Sequence, residues 1–531
     1  MSASKDKKLR ATQRLEGTEK RQVAHGREQR EHKRRRTREI IIGAVLVVVL
    51  VAVFIINSSL FYQGTPAVSA AGRDYTTAQF NYFYYTNYYN YLTQLGNYAS
   101  MLGLDSSKPL GQQPYYGDPT ISWADYFKNS TLDQMESMSV LLNAADADGL
   151  TLTDEQQSNI DAQLASVETS AKSGGYANAD QYLSARYGKY FDEATLRQVL
   201  QMSSLASAYY TEKMASFTYT EDQLESYYSD NKNTLDEYTF RAYFISGAAD
   251  TAADTTADAD ASPDASASPA PSPDNSAAMA AAKAAADAIV AGSTSEDAYN
   301  DLVYANAPED SKSTYEDGGG TLNSAVSGSN VDASYSDWLF DSARKAGDVT
   351  SIATDNGYYA VMFLSRDDNH YPLREARHIL IEAQASSDGT YSDDAKAAAQ
   401  QQAEQILDEW KAGAATQDSF AQLAEQYSQD TGSKDNGGLY DEIYQGEMVP
   451  NFDAWVFDAN RQPGDTGIVY GEATGSYAGY HVIYYVGENT ELYSDYLAKN
   501  AMQTNDYNDW MTAEEAGVTT QVHALPMFFA R

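Results

Sequence analysis

Trp455-Val456-Phe457-Asp458-Ala459-Asn460-Arg461-Gln462-Pro463-Gly464-Asp465, then Gly479-Tyr480-His481-Val482-Ile483-Tyr484-Tyr485, closes a segment spanning 374–487. Nearly the same words close an earlier segment, 238–366. They are Trp338-Leu339-Phe340-Asp341-Ser342-Ala343-Arg344-Lys345-Ala346-Gly347-Asp348, then Gly357-Tyr358-Tyr359-Ala360-Val361-Met362-Phe363. An internal repeat of this kind sets the architecture before any single element is assigned. The copies differ where chemistry could reside. The second has His378 in Ala-Arg-His-Ile-Leu and His481 in Gly-Tyr-His-Val-Ile, whereas the first has Tyr243 and Tyr359 at the matching places. If the histidines do chemistry, one copy works and the other is a shell.

Working outward, Arg377 to Ile381 reads as a strand and 392–411 as a helix with Ala399, Ala403, Ile406 and Trp410 on one face. Phe420, Leu423, Ala424 and Tyr427 mark a shorter helix, Gly437-Gly438 a turn, and Tyr480 to Val486 a last strand. The first repeat opens on the alternating strand Tyr238–Ile245. It is then interrupted by 249–277, rich in Ala, Asp, Ser, Thr and Pro, which has too little apolar surface to fold and is expected to be a disordered insertion.

Before the repeats, 75–235 has helical spacing: Phe80, Tyr84, Tyr88, Tyr91 and Leu95, then Trp123, Phe127, Met135, Met138 and Leu142. Thr153-Asp-Glu-Gln156 has capping-box spacing. The many tyrosines suit either a helical core or a surface for unfolded chains. After the repeats, 489–531 is read as a helical tail. Leu492, Tyr496, Met502, Tyr507 and Trp510 would be exposed unless that tail docks on the helices of 75–235.

Residues 1–39 are basic, with 14 Lys/Arg against 6 Asp/Glu, and precede an uncharged apolar run, 40–56. Its length, about 25 Å as a helix, reads as a short membrane span over 40–57 with the basic side cytoplasmic. A cleaved signal ending near Val68-Ser69-Ala70 is the competing reading, disfavoured by the long basic stretch. Residues 58–531 hold 23 Lys/Arg against 69 Asp/Glu, a field that repels nucleic acid and anionic lipid. No cysteine is present, so disulfides and thiolate metal sites are excluded. With only four histidines beyond the span, no metal or cofactor is expected.

The second repeat supports a resemblance. Ala-Arg-His378-Ile-Leu, Phe420-Ala-Gln-Leu-Ala, Tyr427-Ser-Gln-Asp430-Thr-Gly-Ser433, Gly437-Gly438, Gly446-Glu-Met448-Val-Pro450-Asn-Phe452, Phe457 and Gly479-Tyr-His481 together resemble a parvulin-type peptidyl-prolyl isomerase. The whole chain looks like the PrsA/SurA class of extracytoplasmic foldases, with an additional degenerate copy and no lipid-bearing cysteine. The resemblance implies an α+β fold: a transmembrane helix, a helical chaperone-like domain over 75–235, a degenerate parvulin-like domain over 236–368, a parvulin domain over 370–488 and the tail.

It further implies His378, Asp430 and His481 as catalytic. Leu439, Met448, Phe452, Phe457 and Ser476 are implied to contact the proline or its carbonyl. The structural alternatives stay open: a satisfied histidine pair, Asp430 capping the Thr431-Gly432 turn, and Met448 and Phe452 as ordinary core. The stretch 382–394 carries no Lys or Arg, which argues against phosphoserine-proline specificity. The expected partners are unfolded secreted proteins with X-Pro bonds, met outside the cell membrane. A parvulin-fold chaperone without turnover, or a structural envelope protein, are the other classes.

Overall fold

A computed structural model describes residues 3–530 except 97, 249–274, 387–388 and 474–475, and only the helical backbone for most of 3–31. The insertion expected at 249–277 therefore lies outside the described residues, apart from its last three. Of these, Ser276 and Ala277 already belong to the helix Ser276–Gly292. The described strands, in chain order, are β1 (Pro66–Ala70), β2 (Arg73–Thr76), β3 (Glu237–Ser246), β4 (Leu322–Ser327), β5 (Val349–Thr354), β6 (Gly357–Asp367), β7 (Pro372–Glu382), β8 (Leu439–Ile443), β9 (Thr466–Ala473), β10 (Tyr477–Leu492) and β11 (Thr520–Val522). The chain divides into two compact units, Met1–Phe217 with Thr504–Arg531, and Thr218–Gln503.

The first unit begins with one continuous helix, Ala3–Ile56. The basic tail and the apolar run, read separately in the sequence, are one element. Its part His32–Ile56 is long and apolar enough to cross a membrane and is wholly unburied. Capping boxes start the helices Thr77–Leu95 (Thr76 with Gln79), Trp123–Asp148 (Ser122 with Asp125) and Asp154–Ser173 (Thr153 with Gln156). The helices close over Phe80, Tyr84, Trp123, Phe127, Met135 and Phe191. Burying each such side chain contributes about 1.5–3 kcal/mol. Many tyrosines are thus spent on internal packing, such as the stacked Tyr115–Tyr126 and Tyr82–Phe191 pairs.

The C-terminal segment belongs to this unit but is not all helix. β11 pairs antiparallel with β1 (Val68↔Val522), completing a sheet ordered β11-β1-β2. Tyr507 meets Tyr210 edge-on, and Lys213 lies over Trp510. Residues 489–492, read as the start of the tail, instead finish β10.

The boundary expected at 235 falls earlier. The helix Glu221–Asp230 belongs to the second unit, tied by Tyr228 donating to buried Asp236 (2.8 Å), which also pairs with Arg366. The two repeats form two four-stranded antiparallel sheets of one topology, β4-β3-β6-β5 and β8-β7-β10-β9. In the second, the helices Asp393–Ala412 and Gln417–Tyr427 cover one face through Ile379, Ile381, Ala403, Ile406 and Phe420. The opposite face carries Ala376, Ile483 and Tyr485 under the short helix Pro450–Val456. His378 and His481 project from this second face.

Candidate active site

Strand parity puts both histidines on one face. In the β7–β10 ladder His378 faces Ile483 and His481 faces Leu380, so the two rings lie on adjacent central strands, offset by two residues. They stack at 5.3 Å with an 18° tilt and are 5% exposed each. His378 Nδ1 lies 3.1 Å from His481 Nδ1. His378 Nε2 lies 2.9 Å from Asp430 Oδ2 and 3.2 Å from Ser433 Oγ. Asp430 Oδ2 also accepts from the hydroxyls of Ser433 (2.5 Å) and Tyr440 (3.1 Å). At the other end Tyr477 Oη lies 3.0 Å from His481 Nε2.

One direction of hydrogen bonding satisfies the whole chain. Tyr477 donates to His481 Nε2, His481 Nδ1–H to His378 Nδ1, and His378 Nε2–H to the Asp430 carboxylate. Each ring then carries one N–H. The electrostatics agree. The hydrogen bond from His378, reinforced by Ser433 and the Gly432 N–H, holds the Asp430 carboxyl well below the usual carboxylate range. Burial, with His378 adding to it, pushes the His481 imidazole down to about 3. Burial first, then the Asp430 charge, pushes the Tyr440 phenol up to about 12.

Two glycines make room. Gly438, at φ +73°, passes so close to β7 that a Cβ would stand 2.2 Å from the His378 carbonyl oxygen. A Cβ on Gly471 would come within 2.5 Å of His481 Nε2. The floor is Phe452, 1% exposed, whose ring meets His378 and His481 edge-on at 5.5 and 5.4 Å. Met448, half-buried, packs in the same cluster with Tyr440. The result is an apolar cluster packed against one buried hydrogen-bonded relay.

A comparison with protein families matches residues 378–487 to the rotamase family, a PPIC-type PPIase domain. Residues 378–487 are a PPIC-type peptidyl-prolyl isomerase domain. Among solved structures, PrsA peptidylprolyl isomerases of Bacillus anthracis and Bacillus cereus each share 22% identity over 28% of this chain. Their TM-scores are 0.18 and 0.17, too low to bear on the rest of the chain. The chain covers 59% and 49% of those two structures, less than two thirds of either. No curated protein matches.

The isomerase domain gathers six of the eight residues singled out in the sequence: His378, Asp430 and His481, with Met448, Phe452 and Phe457 in one apolar cluster. Two lie elsewhere. Leu439 pairs with Arg377, so it shares the helix-covered face with Ile379; the next residue, Tyr440, faces the site. Ser476 is exposed at the tip of the β9–β10 hairpin, where its backbone closes the turn onto Ala473. The next residue, Tyr477, reaches His481. Phe457 packs against the same cluster as Phe452 and Met448 and reaches outward to Tyr371 and Arg374. Arg374 stands four residues before His378, roughly 13 Å along the strand. Ser433, Tyr440 and Tyr477 were missed as site residues. The four-residue spacing of Tyr477 and His481 on one strand was the available signal.

The first repeat corrects another expectation. Tyr359 does stand where the isomerase domain has His481, but its ladder partner is Phe244, so Ala242, not Tyr243, occupies the place of His378. Tyr243 lies on the opposite face with Ile289, Tyr299 and Met362. Around Tyr359 the equivalent place holds rings, with Tyr335 at 5.1 Å and Phe244 at 4.9 Å.

Proposed function

We propose that this chain is a membrane-anchored peptidyl-prolyl isomerase that assists folding of secreted proteins outside the cytoplasmic membrane. His378, His481 and Asp430 form its working relay, and Met448 and Phe452 its proline socket. The observation that carries the reading is the buried His378–His481 pair, tied to Asp430 and floored by Phe452. The isomerase domain implies proline-containing peptide substrates. The apolar span and the basic helix before it support the anchor and its orientation.

Turning a prolyl bond breaks no covalent bond; the barrier, about 18–20 kcal/mol, is lost amide resonance. That resonance is strongest where water solvates the charge on oxygen and nitrogen. A ring held on Phe452 and Met448 leaves water, so the planar, charge-separated form loses solvation while the twisted form loses less. The relay contributes rigidity: each buried polar atom in it has a partner, so the site keeps its shape as the amide turns. Asp430, fixed as a carboxylate, stands at the edge where the carbonyl swings and disfavours the planar oxygen close to it.

The test is cis/trans exchange of a non-phosphorylated X-Pro peptide with the full chain, followed by magnetisation-transfer NMR. Acceleration that disappears on His378→Ala supports the reading. Absence of acceleration by the folded chain would leave a client-binding chaperone without turnover.

A further inference from the structure

The first unit bears an apolar surface that its core does not use. The short helix Ser59–Gly64 buries Phe61 and Tyr62 but leaves Leu60 76% exposed. The C-terminal helix Ala524–Phe529 buries Pro526 and Met527 but leaves Leu525 55% and Phe528 80% exposed. The two helices touch: the Phe61 and Phe529 rings meet edge-on at 5.6 Å. Large exposed side chains of this kind, carried on two helices that touch, mark a contact surface.

The position of that surface identifies what covers it. Leu60 follows the end of the apolar helix, Ile56, by four residues across an extended Ser58, so it lies within about 14 Å of that end. The link between them is clamped to the unit. Lys189 Nζ donates to Asn57 Oδ1 (3.1 Å), the Tyr190 hydroxyl donates to the Asn57 carbonyl, and Gln63 Nε2 donates to the Tyr190 carbonyl (2.9 Å) and Asp192 (2.6 Å). A lysine and a tyrosine at the end of a span are the side chains that suit the headgroup layer, one through its cation and one through its amphipathic ring. The clamp keeps the unit from swinging away, so Leu60, Leu525 and Phe528 stay beside the point where the helix leaves the bilayer.

We propose that Leu60, Leu525 and Phe528 form a second membrane contact, seated in the headgroup–acyl boundary of the bilayer that the span crosses, with Lys189 at phosphate level. The occupant is lipid, because the patch is continuous with the lipid-facing helix. It sets the orientation of the whole first unit against the membrane. This rests on the anchored reading above.

The chain has no native cysteine, so single labels are clean. The full chain is reconstituted in phosphatidylethanolamine–phosphatidylglycerol vesicles carrying Phe528→Cys, Leu60→Cys, Leu50→Cys or Glu155→Cys with an environment-sensitive fluorophore. Quenching by nitroxides placed shallow or deep on the acyl chains is then read. A seated patch lies roughly 5–10 Å into the boundary, so shallow nitroxides should quench the 528 and 60 labels at least about twofold more than the 155 label. Labels at 528 and 60 that match 155, while the 50 label is quenched by deep nitroxides, overturn the second contact and leave the anchor standing. A 50 label untouched by lipid nitroxides overturns the anchor and the contact with it. Protection at 528 that lipid nitroxides do not quench, growing with protein density, assigns the patch to a second copy and overturns the lipid assignment.

Discussion

The two repeats share sheet order, a Trp-x-Phe-Asp segment and a Gly-Asp turn, yet one holds a polar relay and the other a plug of rings. In the isomerase domain His378 and His481 stand over Phe452, and four further polar side chains complete their hydrogen bonding. In the first repeat Ala242 and Tyr359 hold those places, Tyr335 and Phe244 pack around them, and the Tyr359 hydroxyl reaches Asp332 at 3.5 Å. The same sheet order thus carries a polar relay in one repeat and a packed apolar face in the other.

The largest effect should come from emptying the floors. Phe452→Ala should destabilise the second unit by about 3–5 kcal/mol and abolish peptide turnover. Tyr335→Ala, at the matching place in the first repeat, should destabilise it too but leave turnover per folded molecule unchanged. Denaturant melts with exchange rates separate the two; a parallel loss of turnover would make both copies part of one active machine.

Removing the relay's anion comes next. Asp430→Ala strands His378 Nε2 and should lower kcat/KM by about 10- to 100-fold, the worth of a charge-assisted hydrogen bond. Asp332→Ala in the first repeat should change it less than twofold, about 0.4 kcal/mol. Equal losses would erase the distinction.

Acid should sharpen it. The His481 imidazole is held near 3 when folded, against about 6.5 in a free chain. The unfolded chain therefore takes up the proton first, so stability is greatest above about pH 6.5 and falls as pH drops towards 3. The depressed Asp430 adds a further loss as pH falls below about 4. His481→Gln should flatten the upper part of this slope in pH-dependent melts. An unchanged slope between pH 6.5 and 4 would remove His481 as its source.

The smallest effect belongs to 249–274. Gly247 lies against Met279, so the ends flanking this segment are close. Excising it should shift the unfolding free energy of the second unit by under about 1 kcal/mol, since closure entropy changes only about 0.6 kcal/mol per doubling of length. A shift of several kcal/mol would make the segment part of the first repeat's core.

Much of the molecule was legible in the sequence. The repeat, the apolar run, the Thr153 capping box and the motif around His378, Asp430, Met448, Phe452 and His481 need only order and spacing along the chain. The differences are small and alike: Ala242 beside Tyr243, Tyr440 beside Leu439, Tyr477 beside Ser476, each one residue from the position singled out in the sequence. A motif match locates a strand to within a residue, but side chains alternate with period two, so a slip of one turns every group to the other face. Only the paired ladder decides that parity. The residue types and their order were determined by the sequence alone. Which of them share a face, and hence which join His378 and His481 in one buried relay, was decided by the tertiary structure, through hydrogen-bond register between strands that lie about a hundred residues apart.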